Sequence, residues 1–454
     1  MTAGPAGLLI AAPASGSGKT IVTLALLRHL RHRGHRVASI KVGPDYIDPA
    51  FHEAASGRAC LNLDSWAMRE ETLAAALQQA GRDAELIVGE GVMGLFDGAA
   101  VHDRHGLPAG STASLAALTG WPVVLVVDCR GMGASVAALT KGFQGFHEAV
   151  RVRGVILNAV ASDRHESLLR EACRGVELPV FGVLRRDPAL QRPSRHLGLV
   201  QAGEDPALEP FLDTAAELLG RRIDTAALLA IARPATLSGG PSGPPLPPLG
   251  QRIAVARDTA FAFSYPFVLD AWRRAGAEVS LFSPLADEAP DPEADAVFLP
   301  GGYPELHAET LAANRRFRGG VMDAVAAGAV IYGECGGYMV LGRGLEDGEG
   351  RQHEMLGLLP MESSLRNARR SLGYRHARLH SAGVLGPAGA AFRAHEFHYA
   401  SVSGAGGEPL FQVALASGEP GGTAGQRLGA VMGSFLHLVD SENRAGKTTY
   451  GRES

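Results

Sequence analysis

Short apolar runs alternate with helical patterns along the first half of the chain. The runs are bounded by glycine, proline or polar residues, as buried strands are, and lie at residues 8–12, 35–42, 84–88, 121–128, 153–160 and 179–184. After the first run, Leu24, Leu27 and Leu30 recur at helical spacing, and the pattern stops at Gly34. Strand, helix and strand in this order predict a parallel sheet with right-handed crossovers, and hence a doubly wound α/β domain.

A second α/β pattern begins beyond residue 250, with apolar runs at 252–256, 294–299 and 329–332. The preceding residues 233–250 are so rich in proline, glycine and serine that they are predicted to form an interdomain linker. We therefore expect one domain over 1–232, a second over 251–438, and a charged, polar and poorly ordered tail over 439–454.

Composition narrows the class of protein. A length of 454 residues suits two or three domains, and 46% hydrophobic with 20% charged residues fits a globular protein. The net charge of -4 shows no excess of basic residues, so we do not expect the protein to bind nucleic acid. Four scattered cysteines without a CxxC pair argue against zinc or disulfides, and no apolar run reaches membrane-spanning length. We expect a cytoplasmic protein without a membrane partner.

The first strand leads into a phosphate-binding pattern that ends in Gly-Lys-Thr at residues 18–20. Pro13 replaces the first glycine of the usual pattern, but the strand, loop and helix context is the expected one. Lys19 is predicted to reach the terminal phosphates of a nucleotide and Thr20 to hold Mg²⁺. The alternative is a chance glycine-rich turn. The predicted nucleotide-binding residues are Ser15, Gly16, Ser17, Gly18, Lys19, Thr20 and, at a later strand end, Asn158, for which a buried structural role is equally plausible.

Acidic residues follow the next strands. Asp45 and Asp48 come directly after the second strand, where parallel sheets gather their ligands, and are candidates for Mg²⁺ or substrate contact. Capping of local turns is an equally good interpretation of both. Glu90 follows the strand over 84–88, the position at which an NTPase places a second carboxylate beside its metal. Asp97 is a further candidate, with capping of its own turn as the alternative.

The second half contains Gly-Glu-Cys-Gly-Gly at residues 333–337, a cysteine version of the nucleophile elbow. We expect Cys335 to be a nucleophile whose pKa is lowered by the helix that follows, with an inert buried cysteine as the alternative. The N–H groups of Gly336 and of Gly301 or Gly302 are predicted to form an oxyanion hole. His437 is the candidate base, and His395 and His398 are its competitors.

With both motifs in place, essentially the whole chain resembles the cobyrinic acid a,c-diamide synthase family, which includes the counterpart acting on hydrogenobyrinic acid. The stretches that carry the resemblance are KVGPDYIDP (41–49), LNLDSW (61–66), EGVMGLFDG (90–98), ECGG (334–337) and EFHY (396–399). The first half is similar to dethiobiotin synthetase-type P-loop domains. The second is similar to class I glutamine amidotransferases of the variant found in cobalamin synthesis.

This resemblance implies amidation of two acetate side chains of a corrin acid, with glutamine as nitrogen donor and with ATP and Mg²⁺. It implies Cys335 and His437 as the glutaminase pair, Thr20, Asp45 and Glu90 on the Mg²⁺ and phosphate side, and Tyr46, Asp48 and Asp97 on the substrate side. A homodimer is a possible assembly. The chain departs from class I amidotransferases at Val439, where a third triad residue is usual, so another group, with Glu396 as the candidate, or no residue at all orients the histidine.

Two alternatives stay open at the level of sequence. One is cobyric acid synthase or another amidase of a tetrapyrrole carboxylate, although the stretch over 90–98 is not expected in cobyric acid synthase. The other is a P-loop ATPase of the partitioning or chaperone type that has lost glutaminase activity and acts as a binding module. Ala14 stands where those ATPases carry a lysine that acts across a dimer, and this favours a loop that activates an acid.

Overall fold

The computed structural model describes residues 5–190, 201–237, 243–366, 370–404 and 406–442. The chain divides into two compact units. The first comprises Met1–Trp66 and Glu70–Gly240, and the second comprises Ala67–Arg69 and Pro241–Ser454. The division falls inside the region predicted to be a linker. Within the described residues, no helix is both long enough and apolar enough to cross a membrane.

The first unit alternates strands and helices, as the apolar pattern predicts. Its strands are β1 (Ala6–Ala11), β2 (Val37–Val42), β3 (Leu61–Leu63), β4 (Leu86–Glu90), β5 (Val123–Asp128), β6 (Val152–Val160), β7 (Val180–Arg185) and β8 (Arg233–Pro234). Its helices are α1 (Lys19–His32), α2 (Asp48–Ser56), α3 (Glu70–Ala80), α4 (Thr112–Thr119), α5 (Ser135–Gly145), α6 (Asp163–Gly175), α7 (Leu208–Gly220) and α8 (Thr225–Ile231).

The strands of this unit form one sheet in the order β3-β2-β4-β1-β5-β6-β7, with β8 beside β1. All pairs are parallel except that of β8 with β1, which confirms the predicted doubly wound α/β fold. Glu90 lies opposite Ile10 on one side and Lys41 on the other. The ends of three neighbouring strands therefore meet at the loop between β1 and α1.

The predicted linker over 233–250 is too wide. Arg233 and Pro234 pair with β1 as an edge strand, a position that tolerates proline because one side needs no ladder hydrogen bond. At the other end Leu249 is buried, and the carbonyl of Leu246 accepts a hydrogen bond of 3.1 Å from Trp272 Nε1. Both ends of the segment belong to folded structure, while residues 238–242 lie outside the described residues.

The second unit combines a parallel core with a large antiparallel part. Its strands are β9 (Arg252–Ala256), β10 (Glu278–Phe282), β11 (Ala296–Leu299), β12 (Val330–Glu334), β13 (Gly344–Glu346), β14 (Gln352–Glu354), β15 (Glu362–Ser364), β16 (Ser371–Leu379), β17 (Ala391–His398), β18 (Ser401–Ser403), β19 (Glu408–Leu415), β20 (Pro420–Leu428), β21 (Val431–Ser434) and β22 (Leu436–Ser441). Its helices are α9 (Pro266–Arg274), α10 (Ala308–Ala313), α11 (Arg315–Ala326) and α12 (Gly336–Leu341).

The main sheet of this unit runs β10-β9-β11-β12-β21-β20-β19-β16-β17-β22, and β13, β14, β15 and β18 form a smaller sheet. The part from β10 to β21 is parallel, and the rest is antiparallel. Only Phe435 separates β21 from β22, although these strands lie far apart in the sheet order. The antiparallel part therefore curls back, and this brings the start of β22 beside the end of β12.

The predicted tail begins too early. Strand β22 continues to Ser441, and Val439 and Asp440 are buried in its pairing with β17. The charge of Asp440 made the segment look solvent-exposed in the sequence, but strand pairing places that residue inside the fold. Residues 443–454, the rest of the predicted tail, lie outside the described residues.

The strand that leads into the phosphate-binding loop has a tight contact that a mutation can test. A Cβ atom on Gly7 would lie 2.4 Å from ring atoms of the buried Trp121. We predict that Gly7→Ala lowers the free energy of unfolding by about 1–3 kcal/mol, because the indole must move within a packed core. Urea denaturation measures this. In the control Gly142→Ala, on α5, the added methyl meets open space and should stabilise by about 0.5–1 kcal/mol. Equal stability of Gly7→Ala and the unmodified chain would contradict the packing.

Candidate functional site

The loop between β1 and α1 has the backbone of a phosphate-binding loop. Gly16 and Gly18 have φ of 80° and 85°, a region that favours glycine. The hydroxyl of Ser17 donates to the carbonyl of Ala14 at 2.8 Å. Asn158 Nδ2 donates to the carbonyl of Ser17 at 2.9 Å. Asn158 therefore makes a structural contact with the loop, which is the alternative to its predicted role in nucleotide binding.

Lys19 lies at the first turn of α1 and is largely buried. Its ammonium group donates to the carbonyl of Met93 at 2.9 Å. Burial lowers the pKa of Lys19, although Glu90 opposes that shift. A Cβ on Gly94 would lie 2.6 Å from the carbonyl oxygen of Pro13, so the segment after β4 runs directly against the loop. In that segment Asp97 accepts a hydrogen bond of 3.0 Å from the N–H of Gly94, the capping contact foreseen as its alternative role.

Glu90 is a fully buried carboxylate with three polar partners. Oε1 accepts hydrogen bonds from the Thr20 hydroxyl at 2.6 Å and from Lys41 Nζ at 2.9 Å, and Oε2 lies 2.7 Å from His52 Nε2. Burial alone would raise the pKa of Glu90, but these partners outweigh it and hold the pKa well below the usual range. The predicted neighbours Thr20 and Glu90 are therefore in direct contact.

Lys41 and His52 are site residues that the sequence reasoning missed. Lys41 is 4% exposed and joins Glu90 to Asp48, whose Oδ2 lies 2.5 Å from its ammonium group. Burial would lower the pKa of Lys41, but Glu90 and Asp48 keep it well above the usual value. A lysine inside the apolar run of β2 was the available signal, because a buried charge needs a partner.

The predicted acids after β2 surround this lysine. Asp45 Oδ2 lies 3.9 Å from Lys41 Nζ, and Asp45 Oδ1 accepts a hydrogen bond of 2.8 Å from the N–H of Ile47. Asp45 therefore caps a turn and also faces the cluster. Burial and the negative charge of Asp45 raise the pKa of Asp48 to about 7 despite the contact with Lys41. Tyr46, between the two acids in sequence, is half-buried.

The donor set fits a magnesium ion that accompanies a nucleotide. Within the described residues, no group of three or more His, Cys, Asp or Glu side chains is arranged to hold a metal. Thr20 and Glu90 nevertheless offer a hydroxyl and a carboxylate 2.6 Å apart beside the phosphate-binding loop. Because Mg²⁺ keeps several waters and takes its remaining ligands from phosphates and one or two carboxylates, such a pair suffices.

His52 lies beneath Glu90 and is completely buried. Its other ring nitrogen, Nδ1, is 3.5 Å from Cys60 Sγ. Burial disfavours the charged imidazole, but the contacts with Cys60 and Glu90 outweigh burial and raise the pKa of His52 to about 10. The direction of this shift favours a charged imidazole, which offsets the negative charge of Glu90.

In the second unit, strand β12, Cys335 and helix α12 form the predicted elbow. Cys335 has φ 49° and ψ -108°, a strained conformation for a residue with a side chain. A Cβ on Gly337 would lie 1.8 Å from the carbonyl oxygen of Leu299, and one on Gly333 would lie 2.8 Å from the carbonyl carbon of Gly337. The turn therefore needs glycine on both sides of the cysteine, as the spacing predicts.

His437 is the histidine brought beside Cys335. A Cβ on Gly301 would lie 2.5 Å from Cε1 of His437 and 3.2 Å from Cβ of Cys335, so both side chains border the same point. The competitor His395 lies opposite His437 on β17, with ring centroids 4.8 Å apart. The other competitor, His398, stacks on Phe435.

The predicted lowering of the thiol pKa is wrong for this structure. Burial, followed by the negative charge of Glu305, raises the pKa of Cys335 to about 12, although the N–H of Gly336 opposes the shift. Burial, and then the charge of His398, lowers the pKa of His437 to about 3. Desolvation outweighs the short helix α12. The resting pair is therefore a thiol and a neutral imidazole.

The predicted oxyanion-hole glycines lie together. A Cβ on Gly336 would be 3.1 Å from the backbone nitrogen of Gly302. The N–H of Gly336 also interacts with the thiol of Cys335. Two backbone donors beside one nucleophile are the arrangement that binds a developing oxyanion. The assignment of Gly302 and Gly336 remains a prediction that this geometry supports.

Glu396 does not orient His437. Its carboxylate lies 2.7 Å from Arg375 and 2.9 Å from His398. The reason is strand alternation: in β17, His395 is opposite His437, so the neighbouring Glu396 points to the other face of the sheet.

Two family models match the chain. One, described as a CobQ/CobB/MinD/ParA nucleotide binding domain, matches residues 8–200. The other, described as a CobB/CobQ-like glutamine amidotransferase domain, matches residues 252–445. Each model matches most of one unit and contains the site described above for that unit.

Curated proteins resemble this chain over nearly its full length. The hydrogenobyrinate a,c-diamide synthase of Rhizobium meliloti is 55% identical over 96% of this chain and 99% of its own. The protein of the same name from Brucella abortus is 54% identical over 97% and 99%, respectively. That from Rhodobacter capsulatus is 51% identical over 97% and 100%.

The charge on His52 predicts a dependence of stability on pH. Its folded pKa of about 10 exceeds the value of about 6.5 expected when unfolded, so its stabilisation is complete below about pH 6.5 and is lost as the pH rises through 10. His52→Gln should cost about 3–5 kcal/mol near pH 6, because it leaves a buried charge poorly paired, and less near pH 10. Urea denaturation at both pH values measures the difference.

His29→Gln is the matched control on a neighbouring helix. Burial, and then the charge of Arg33, lowers the pKa of His29, so its contribution should grow with pH instead of disappearing. A cost of His52→Gln that is the same at pH 6 and pH 10 would contradict a charged His52.

The neutral state of Cys335 predicts slow alkylation at neutral pH. Because only the thiolate reacts and the pKa is raised to about 12, the rate with iodoacetamide should rise about tenfold per pH unit between pH 7 and 10. Mass spectrometry of the Cys335 peptide measures the rate, and the Cys335→Ser variant identifies that peptide. A rate that is already maximal at pH 7 would show a preformed thiolate.

Proposed function

This chain belongs to the hydrogenobyrinate a,c-diamide synthase family of glutamine-hydrolysing ligases, and we propose that it uses ATP and glutamine to amidate the a and c acetate side chains of a corrin acid, hydrogenobyrinic or cobyrinic acid. The observation that carries the proposal is the pairing, in one chain, of the Thr20–Glu90–Lys41 cluster at a phosphate-binding loop with the Cys335–His437 pair at a nucleophile elbow.

In the second unit, the Cys335 thiol attacks the side-chain amide carbon of glutamine. His437 takes the thiol proton as the carbon–sulfur bond forms and delivers it to the departing ammonia. Gly302 and Gly336 donate N–H groups to the oxyanion, and water then hydrolyses the thioester to glutamate. Because burial favours the neutral form of both groups, we expect proton transfer to accompany the attack.

In the first unit, ammonia needs an activated carboxyl group, because a carboxylate resists nucleophiles and its oxide is a poor leaving group. A substrate carboxylate attacks the γ-phosphorus of ATP, giving an acyl phosphate and ADP. Ammonia then displaces inorganic phosphate and forms the amide. Two acetate groups are converted in turn.

The first unit supplies positive charge and order for this transfer. Residues 15–20 cradle the phosphates, and Lys19 offsets their negative charge. Mg²⁺, when bound, would be held by Thr20 and Glu90 and would neutralise charge on the phosphate oxygens. The buried Lys41, 2.9 Å from Glu90, adds a further positive charge beside this pair. We assign Tyr46, Asp48 and Asp97 to the substrate side, as the family resemblance implies.

Product mass tests the proposal against an amidase of a different tetrapyrrole carboxylate. Incubation with ATP, Mg²⁺, glutamine and hydrogenobyrinic or cobyrinic acid should give a monoamide and then a diamide, where the reaction stops. Four amidations would instead identify a cobyric acid synthase activity. Absence of amide with either acid, despite ATP turnover, would contradict the proposed substrate class.

Two variants should separate the two chemistries. Cys335→Ala should lose glutamine-dependent amidation at least about 10³-fold yet keep amidation with added ammonium, because it removes only the nucleophile. Glu90→Gln should lose amidation with either nitrogen donor and keep glutamine hydrolysis. Glutamate release and amide formation are measured in parallel, with circular dichroism as the control for folding. Loss of both reactions in folded Cys335→Ala would overturn the assignment of separate sites.

A further inference from the structure

We propose that Glu334, the residue immediately before the nucleophile, is the positioning residue for His437 and replaces the acid that Val439 cannot provide. Oε2 of Glu334 lies 3.7 Å from Nδ1 of His437, and both side chains are buried. This inference deepens the proposed glutaminase activity and rests on it. The third residue of the triad would then be the last residue of β12, the strand that leads to Cys335.

The surroundings of Glu334 hold its carboxylate in a fixed place. Oε1 accepts a hydrogen bond of 2.9 Å from the Tyr332 hydroxyl and one of 3.2 Å from the N–H of Leu438, the residue after His437. Both bonds are buried. Because they engage Oε1, they leave Oε2 facing the imidazole. Glu334 is thereby tied to the two strands that carry the nucleophile and the base.

This placement decides which ring nitrogen of His437 can serve the thiol. With Nδ1 toward Glu334, Nε2 is the nitrogen available to Cys335, and Cε1 borders Gly301 on the same side. A carboxylate beside Nδ1 favours the tautomer with hydrogen on that atom and stabilises the imidazolium that forms when Nε2 takes the thiol proton. At 3.7 Å the contact is longer than a hydrogen bond. Catalytic contacts of this kind are often long before substrate binds and tighten in the substrate complex.

The protonation state of Glu334 gives the assignment a measurable signature. Burial raises the pKa of Glu334 to about 8, although the hydrogen bonds from Leu438 and Tyr332 favour the charged form. His398 is the further charged group that influences His437. Glutamine hydrolysis should therefore increase as Glu334 loses its proton around pH 8, since the carboxylate stabilises the imidazolium better than the acid does.

The test compares Glu334→Gln, Tyr332→Phe and Glu396→Gln in the full chain, measuring glutamine hydrolysis from pH 6 to 9.5 and ammonium-dependent amidation at pH 8. Glu334→Gln keeps the size of the side chain and its acceptor for Tyr332 and Leu438, but it removes the charge. We expect kcat for glutamine to fall about 10²-fold or more, since a triad acid contributes up to about 10⁴-fold, with KM changed less than about twofold. The rise of kcat with pH should disappear.

Tyr332→Phe removes one donor to the carboxylate, so the rise of kcat should move to higher pH. This variant keeps the proposal testable if Glu334→Gln does not fold. A Glu334→Gln enzyme with an unchanged pH profile and kcat, or a Tyr332→Phe profile that coincides with that of the unmodified enzyme, would overturn the assignment. So would a larger loss in Glu396→Gln than in Glu334→Gln.

Cys335→Ser separates this inference from the proposed function. If Cys335→Ser retains glutamine hydrolysis, the nucleophile itself is misassigned and the proposed function fails. If Cys335→Ser is inactive toward glutamine while Glu334→Gln behaves like the unmodified enzyme, only the role of Glu334 fails. Ammonium-dependent amidation should persist in both variants, because Glu334 and Cys335 belong to the glutaminase unit.

Discussion

The charge of Glu90, buried with no exposed surface, is the constraint on which the nucleotide site depends. A carboxylate in that position is tolerable only if cations and donors surround it, because its desolvation otherwise costs several kcal/mol. Lys41 and His52 supply the cations, and Thr20 supplies a hydroxyl at the start of α1. Since these partners come from neighbouring elements, the same interaction that neutralises Glu90 also fixes the loop, the strand and the helix relative to one another.

Desolvation acts in the opposite way at the elbow. There burial is the main influence, and it keeps the Cys335 thiol protonated and the His437 imidazole neutral. From such a pair the imidazolium has to form during the reaction, so a carboxylate that stabilises the imidazolium becomes important. Glu334 occupies the place where that carboxylate is needed. The first unit thus stabilises the charge of Glu90 at all times. In the proposed reaction, the second unit stabilises the charge of His437 only while the imidazolium exists.

In both units, glycines permit the backbone conformation of the site, and buried side chains determine its charge. At the elbow, Gly333 and Gly337 are required because backbone atoms approach closer than any Cβ permits. In the phosphate-binding loop, Gly16 and Gly18 are required by their positive φ, and Asn158 braces the loop from a neighbouring strand. In both cases the local backbone conformation exposes N–H groups. The buried polar side chains nearby then determine whether a negative charge is stabilised there.

The sequence by itself determined the doubly wound first unit, the phosphate-binding loop and the elbow at Cys335, because these depend on local patterns of apolar residues and glycine. It also placed Thr20 and Glu90 at strand ends that meet in a parallel sheet. Only the tertiary structure decided the partners of buried charges. Lys41, His52 and Glu334 look like ordinary residues within apolar runs or beside a motif, and their roles arise from contacts across strands. The curl that pairs β17 with β22, and buries residues predicted as tail, likewise depends on long-range strand pairing that no local pattern encodes.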